Sequence, residues 1–304
     1  MSQPDVSIII VNWNVSELLD ICLRTIKHYT KGISYEVIVV DSASSDDSVQ
    51  MVQKKHPWVQ LIASPDNLGF TKGNNRGLEV ATGRHIAYIN PDIEFVEDAL
   101  TPMIEYLDAH IEVGAIGCAL LNTDRSHQNS IGRFLRLSTL WQEYVLRSKA
   151  ETVHIPHPKQ PAEVEVVLGA CLVVRGNLAR EIGGFDTRYF MYQEETDLCL
   201  ALKQRGFSTV YYPVVAMIHH GSKSATKSDE SRQRTLYENR RSQSLFMHKH
   251  YGAATAFVAD LLIFSAMAIR LPVLYLLQFK PNQKQKNQAK LTYYLKTMRN
   301  LAGF

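Results

Sequence analysis

In the N-terminal third of the chain, short apolar runs alternate with helix-like stretches, and that alternation restricts the fold more than any other feature. The runs are VSIIIVNWN (Val6–Asn14), EVIVVD (closed by Asp41), VQLIAS, and HIAYIN, which opens at His85. Their β-branched and aromatic content suits strands covered on both faces. After the first run, SELLDICLRTIKHY carries Leu19, Cys22, Leu23 and Ile26 at helical spacing, with Ser16 as the predicted N-cap. SASSDDSVQMVQKKH reads as Ser and Asp caps followed by a short helix. PDNLGFTKGNNRGLEVATG reads as a Gly/Asn-rich loop that turns helical near Asn75. Strand and helix alternating this closely predict βαβ units and a parallel sheet of the α/β class. In such sheets ligands bind at the carboxyl ends of the strands.

The residues predicted at those ends are Asn12, Asp41 and Asp92. In His85–Phe95 the apolar run meets Asn90, Pro91 and Asp92, with Glu94 just beyond. Proline has no N–H to donate, so Pro91 ends the ladder and delivers Asp92 to the rim. Carboxylate and amide oxygens at such a rim suit Mg²⁺ or Mn²⁺ beside a diphosphate, because hard cations prefer oxygen ligands. Asp41 is read equally as a helix cap or as a partner for ribose hydroxyls or a base N–H. Gly69–Gly77 is read either as a plain loop or as a backbone-lined nucleotide contact. A dinucleotide fold is excluded: NWNVSE, after the first strand, contains none of the required glycines. GFTKGNNRG lacks the G-K-[ST] ending of a P-loop.

Charge narrows the partners. The chain has 33 Lys and Arg against 30 Asp and Glu, a net +3 over 304 residues, too mild for nucleic acid. Cys22, Cys118, Cys171 and Cys199 are widely spaced, which argues against a zinc site or disulfide framework and fits a reducing compartment. MSQPDVS leads directly into a strand pattern, with no signal peptide expected.

Farther on, VEDALTPMIEYLDAH is predicted helical and GAIGCALL a strand. His127–Pro161 is irregular, and VEVVLGACLVVRG is one long strand or a pair. YQEETDLCLALKQRGF opens a helix with Glu194, Glu195 and Asp197, acids that complement the helix dipole. Glu195 precedes Leu198, Cys199 and Leu202 by three, four and seven positions and so belongs to the apolar face. A carboxylate there is costly without a job, and a raised pKa would suit a general base. The strand STVYYPVVAMIHH ends in His219 and His220, a pair suited to a metal or diphosphate.

The chain is expected to divide into residues 1–252, a catalytic domain, and 253–304, a membrane-associating helical segment with a basic tail. Ala253–Phe279 is long and apolar enough to span a bilayer, but Asp260, Arg270 and Pro272 interrupt it. A charge at the centre of a span costs about 2.5–3.5 kcal/mol. A helix or broken hairpin lying in the interface is therefore favoured over a span. Packing on the main domain or in a dimer is the alternative. Lys280, Lys284, Lys286 and Lys290 form a flank suited to an anionic cytoplasmic leaflet.

In order, VSIIIVNWN, VVDSASSDDS, NLGFTKGNNRG, INPDI, GGFDTRYFMYQEETDLCLALKQRGF and IHHGSKS resemble the inverting family-2 glycosyltransferases of GT-A fold, especially their rhamnosyltransferase-like bacterial branch. The resemblance runs from about Val6 to Gly252. It implies a mostly parallel, Rossmann-like central sheet with flanking helices. It implies that Asn12 and Asp41 hold the nucleotide, and that Asn67, Gly69, Gly73 and Asn74 shape its pocket with Asn90. Asp92 matches the retained acid of the D-x-D element and His219 the later histidine, both toward Mg²⁺ or Mn²⁺. Glu195 matches the second acid of the E-D pair, the general base, with Glu194 beside it as the other candidate. Two residues depart from the pattern: Asn90 stands where many members have the first Asp, and Glu195 where Asp is usual. The implied activity is transfer of a sugar from a nucleotide-diphosphate donor, by branch dTDP-rhamnose, to a lipid-linked or cell-surface glycan with inversion. The alternative is a catalytically idle module that binds nucleotide-sugar or glycan within a membrane assembly. The implied place is peripheral, on the cytoplasmic face of a bacterial inner membrane, as a monomer or homo-oligomer.

Overall fold

The computed structural model describes residues 3–146, 157–221, 229–277, 288, 291–295 and 297–298. The flank at Lys280, Lys284, Lys286 and Lys290, and the SKS of IHHGSKS, lie outside them. The chain forms two compact units: Met1–Phe134, Ile155–Phe190 and Glu194–Ser224 in the first, and Leu135–His154, Met191–Gln193 and Ala225–Phe304 in the second.

The first unit begins with the expected alternation: β1 (Val6–Asn12), α1 (Ser16–Tyr29), β2 (Tyr35–Ser42), α2 (Ser48–Lys55), β3 (Gln60–Ser64), α3 (Gly69–Val80) and β4 (His85–Ile89). It continues through β5 (Ile93–Phe95), α4 (Leu100–Ala109), β6 (Val113–Leu121), β7 (His127–Gln128), β8 (Ile131–Gly132), β9 (Ala162–Val164), β10 (Val166–Val167), β11 (Cys171–Arg175), α6 (Gly176–Ile182), α7 (Glu194–Gln204) and β12 (Ser208–His219). The main sheet has the order β3-β2-β1-β4-β11-β6-β12-β5. Parallel pairing joins β1 to both β2 and β4, so the chain direction across the sheet switches beside β1. That switch opens a crevice at the strand ends. VEVVLGACLVVRG is the pair β10 and β11, preceded by Val164, the last residue of β9, and β11 runs antiparallel to both β4 and β6. β12 pairs parallel with β6 and shifts register between Tyr212 and Ala216. Pro213 accounts for the shift, since it cannot donate to the ladder.

Successive residues of β1 point to opposite faces. Ile8 and Ile10 pack with Leu19, Leu23, Ile26, Leu100 and Met103. Ile9 joins Ile38, Tyr88, Leu78, Leu178 and Leu198 on the other face. The stretch read as a loop to Asn75 is helical from Gly69. Packing overrides glycine's poor helix propensity there. A Cβ at Gly73 would lie 2.8 Å from Val11 Cγ1, and one at Gly77 would lie 2.5 Å from Ile9 Cγ2, so the two glycines let α3 sit directly on β1. The predicted cap of α1 is also replaced. Ser16 is the first helical residue, and its N–H donates to Asp46 Oδ2 at 3.0 Å.

The second unit holds α5 (Leu137–Trp141), a single π-helical turn (Gln142–Leu146) and α8 (Asp229–Leu277). α8 numbers 49 residues but bends at Gly252, where φ is 82° and ψ is 169°. Arg240 pairs with Asp260, 20 residues later, and Ser244 Oγ donates to Asp260 Oδ2 at 2.9 Å. In a straight helix those residues would be about 30 Å apart, so the two arms fold back on each other. This pairing keeps both arms in one unit, so the compact units differ from the 1–252 and 253–304 segments drawn from sequence. Asp260 is a paired charge on the helix expected to meet the membrane.

Candidate active site

The ends of β1 and β2 meet in register, Asn12 opposite Asp41. Asn12 is fully buried, and its Nδ2 donates to Asp41 Oδ2 at 2.8 Å and to Ser44 Oγ at 3.2 Å. Asp41 Oδ1 accepts the Ser44 N–H at 3.0 Å, leaving Asn12 Oδ1 without a partner among the described residues. A buried acceptor without a donor is an opening for a ligand N–H or O–H. Asp46 braces this corner by accepting from the first N–H of both α1 and α2, at 3.0 and 3.1 Å. Burial opposes its ionisation, but hydrogen bonds from Ser48 and Ser16 prevail and hold its carboxyl below the usual range.

Beyond β4 the backbone turns sharply. The Asn90 N–H donates to Ala170 O at 3.0 Å and the Ile93 N–H to Asn90 O at 3.2 Å. β5 then pairs antiparallel with the end of β12, His219 opposite Ile93. That pairing brings Asp92 and His219 together: Nε2 lies 3.3 Å from Asp92 Oδ1, with the side chains 18% and 13% exposed for His219 and Asp92. The His220 N–H donates to Asp92 O at 3.0 Å, and His220 Nε2 sits 2.8 Å from Glu94 Oε2. His219 and His220 therefore serve opposite sides of the strand.

The segment around α3 has another duty. Asn67, exposed, accepts the Gly69 N–H at 2.9 Å. Gly69 has φ +66°, and a Cβ there would lie 2.7 Å from the Phe190 ring. Asn74 is buried and donates to Phe70 O at 2.9 Å. Thr71 Oγ1 donates to Tyr189 O at 2.6 Å, while Asn75 donates to Phe185 O and accepts from the Phe185 N–H. Gly69, Thr71 and Asn75 thus fasten the 185–190 loop, and Gly73 and Asn74 settle α3 itself. Tyr189 is fully buried, its hydroxyl donating to Asp197 Oδ1 at 3.3 Å, so its ring belongs to the core.

That loop ends at α7. Tyr192 and Gln193 both take left-handed backbone conformations, φ 71° and 68°, immediately before Glu194. Two such non-glycine residues store about 1–3 kcal/mol each, a cost that clusters at functional positions. Glu194 is buried with Oε2 unpartnered among the described residues, whereas Glu195 is only half-buried. Burial pushes both carboxyls up, and the neighbouring Glu195 charge pushes Glu194 further. The β10–β11 connection ties Glu195 to the Asp92 corner. A Cβ at Gly169 would lie 3.8 Å from Glu195 Cβ, and Ala170 O accepts the Asn90 N–H.

The raised Glu194 pKa has a consequence for stability. Its favourable contribution is complete below the unfolded glutamate pKa and disappears as pH rises through the higher folded value. Glu194→Gln removes the ionisable group at nearly constant shape. It is expected to raise Tm at pH 8. At pH 4 the difference should vanish. Scanning calorimetry at both pH values checks this; equal shifts at the two would exclude ionisation as the cause.

Among the described residues no group of three or more His, Cys, Asp or Glu side chains forms a closed metal cage. Mg²⁺ and Mn²⁺ do not require one at a diphosphate, where one or two protein ligands suffice with phosphate and water oxygens. The Asp92 oxygen and the His219 ring nitrogen lie 3.3 Å apart. Gln128 Oε1, 2.6 Å from His219 Nδ1, is a partner that no pattern of residues marks, since β7 is too short for any periodicity.

Residues 7–162 match the family model described as glycosyl transferase family 2, and residues 97–293 match glycosyl transferase family group 2. An N-acetylglucosaminyl-diphospho-decaprenol L-rhamnosyltransferase of Mycobacterium tuberculosis is 27% identical over 213 residues, covering 64% of this chain and 69% of the relative. The rhamnosyltransferase WbbL of Escherichia coli is 28% identical over 195 residues, covering 61% and 73%. In solved structures, the mannosyltransferase PcManGT from Pyrobaculum calidifontis, in complex with GDP-Man and Mn²⁺, superposes with a TM-score of 0.58 at 18% identity. That match covers 99% of this chain and 88% of PcManGT. The sheet and its flanking helices are the GT-A fold expected from the resemblance.

Proposed function

The chain belongs to glycosyl transferase family 2, and we propose that it moves a sugar from a nucleoside-diphosphate donor to a lipid-linked glycan hydroxyl with inversion. The observation that carries this reading is the convergence of Asp92 and His219 at the end of β4, with Glu195 tied to the same corner through Gly169 and Ala170.

In this reading Asn12 and Asp41 receive the nucleotide at the ends of β1 and β2, with the unpartnered Asn12 Oδ1 open to a donor. Asp92 and His219 would hold a divalent cation, which would supply positive charge beside the diphosphate. Glu195 takes the proton from the acceptor hydroxyl as that oxygen attacks the anomeric carbon. The nucleoside diphosphate leaves from the opposite face, so configuration inverts. No carboxylic acid is needed to protonate the leaving group, unlike in glycoside hydrolysis. The rhamnosyltransferase relatives support a rhamnosyl donor, and the diphospho-decaprenol relative supports a polyprenyl-diphosphate acceptor. Thermal shift against dTDP-, UDP- and GDP-sugars with Mn²⁺ tests the donor. The anomeric configuration of the product, read by NMR, tests inversion; retention would overturn the mechanism.

The second arm of α8 supports peripheral membrane binding, which in this reading is at the cytoplasmic face. Ala256, Ala259, Ile263, Met267 and Leu274 are buried along one stripe. Phe257, Leu261, Ile269, Val273 and Leu276 are exposed, up to 78% at Ile269. A helix apolar on both faces needs an apolar medium on its open face. By length and composition the segment Thr235–Leu277 is apolar enough to cross a membrane. The bend at Gly252 and the Arg240–Asp260 pair favour a hairpin lying in the interface. Phe257→Glu with Ile269→Glu is expected to weaken binding to anionic vesicles by roughly 100-fold or more, from about 1.5 kcal/mol or more per side chain. Unchanged co-sedimentation would exclude this face as the anchor.

A further inference from the structure

We infer that Gln128 is the positioning residue of the Asp92–His219 pair: its amide oxygen accepts from His219 Nδ1–H and so orients the imidazole with Nε2 on the Asp92 side. The inference deepens the cation reading proposed above and rests on it.

The orientation of the Gln128 amide is settled by a group that cannot be flipped. Gln128 Nε2 lies 3.3 Å from the backbone carbonyl of His219, which only accepts. The amide NH₂ must therefore face that carbonyl. The same Nε2 lies 3.0 Å from Asn122 Oδ1, and the Asn122 amide is oriented in turn, its Nδ2 donating to Ser126 Oγ at 2.9 Å. Gln128 Oε1 is then the atom 2.6 Å from His219 Nδ1, and an amide oxygen only accepts. Nδ1 must therefore carry a proton, and the ring presents Nε2 to Asp92 Oδ1 at 3.3 Å.

The backbone supplies the reach. β6 turns back on itself through the Asn122–Ser126 hairpin, with Ser126 O accepting the Asn122 N–H at 2.8 Å. β7 then pairs with the end of β6, Gln128 opposite Leu120. On its other side β6 runs beside β12, Leu121 opposite Ile218, so Gln128 reaches across one strand to His219. The short β7 thereby carries Gln128 to His219. A histidine ligand usually donates its other N–H to such a partner, and loss of the partner typically weakens metal binding about 10–100-fold.

Two readouts test the assignment. The first is the metal-free tautomer of His219, from long-range ¹H–¹⁵N correlation spectra of ¹⁵N-histidine-labelled full-length protein above the histidine titration range, with His219→Asn to identify the signal. Wild type is expected to show Nδ1–H. Gln128→Leu removes the acceptor at Nδ1 and should move the ring proton toward Nε2, where Asp92 Oδ1 accepts it. The second is Mn²⁺ affinity in the presence of dTDP, from free-Mn²⁺ electron paramagnetic resonance, where Gln128→Leu should bind about 10–100-fold more weakly. Far-UV circular dichroism establishes that the variants are folded. A Gln128→Leu protein with the wild-type tautomer and Mn²⁺ affinity within twofold overturns the assignment. Wild-type protein that takes up no Mn²⁺ overturns the cation reading instead, while the metal-free tautomer comparison still decides the role of Gln128.

Discussion

Glu195→Gln is expected to lower turnover by about 100- to 10,000-fold while leaving nucleoside-diphosphate affinity unchanged. The size follows from loss of general-base catalysis, about 3–5 kcal/mol of transition-state stabilisation. The separation of rate from binding follows from position. Glu195 opens α7 beside Gly169, whereas the nucleotide is assigned to Asn12 and Asp41, which hydrogen-bond each other at the ends of β1 and β2. Glu194 supplies the contrast. It is buried beside Glu195, with one oxygen unpartnered among the described residues, while Glu195 is partly exposed. Glu194→Gln is therefore expected to keep most turnover, and a larger loss there than at Glu195 would reverse the assignment.

The same residue sets the acid side of the rate profile. A base must be ionised to act, and burial raises the Glu195 pKa. The acid limb of kcat/KM should consequently lie above the ordinary glutamate range. Glu195→Asp shortens the side chain by one methylene and should keep measurable turnover, because the carboxylate common in the family is itself an aspartate. Initial rates from pH 4 to 9 on the three proteins check these statements together. A wild-type limb at or below the ordinary range would remove Glu195 from the role.

Much of this architecture was legible in residue pattern. The apolar runs at Val6, Val37 and Ile86 became β1, β2 and β4, because period and composition act locally. β4 ends at Ile89, two residues before Pro91, and Asp92 Oδ1 lies 3.3 Å from His219 Nε2. What escaped was set by tertiary packing. Gly69 to Gly77 reads as loop because glycine disfavours helix, yet close contact with Val11 and Ile9 makes Gly73 and Gly77 necessary inside α3. The cap of α1 is not its own Ser16 side chain but the Asp46 carboxylate, 30 residues away. β11 reads as one more buried strand, and nothing in its sequence announces antiparallel pairing with β4 and β6. Gln128 left no trace at all, since two residues of strand carry no periodicity. The pattern of misses is physical: runs report on burial, while single polar residues gain roles from partners distant in sequence.

Asp92→Ala should abolish measurable turnover with any donor, at least about a 1,000-fold loss, or about 4 kcal/mol. Asp92 and His219 are the two side chains assigned to the cation, so removing the carboxylate takes away the one negatively charged protein ligand. A diphosphate leaving group develops charge as its bond to sugar breaks, and a site that holds a cation at that position stabilises the transition state more than the ground state. The loss should therefore fall mainly on kcat, with a smaller change in donor KM. Asp92 O also accepts the His220 N–H through backbone, a bond that the alanine substitution retains, so the fold of the β5–β12 corner should survive. Chelation of the wild-type protein should reproduce the loss and excess Mn²⁺ should reverse it, whereas the Asp92→Ala protein should not recover at the same Mn²⁺ concentration. Turnover that persists in both chelated wild type and Asp92→Ala would remove the cation from the mechanism. Turnover that survives only in Asp92→Ala would transfer its binding from this carboxylate to other oxygens at the rim.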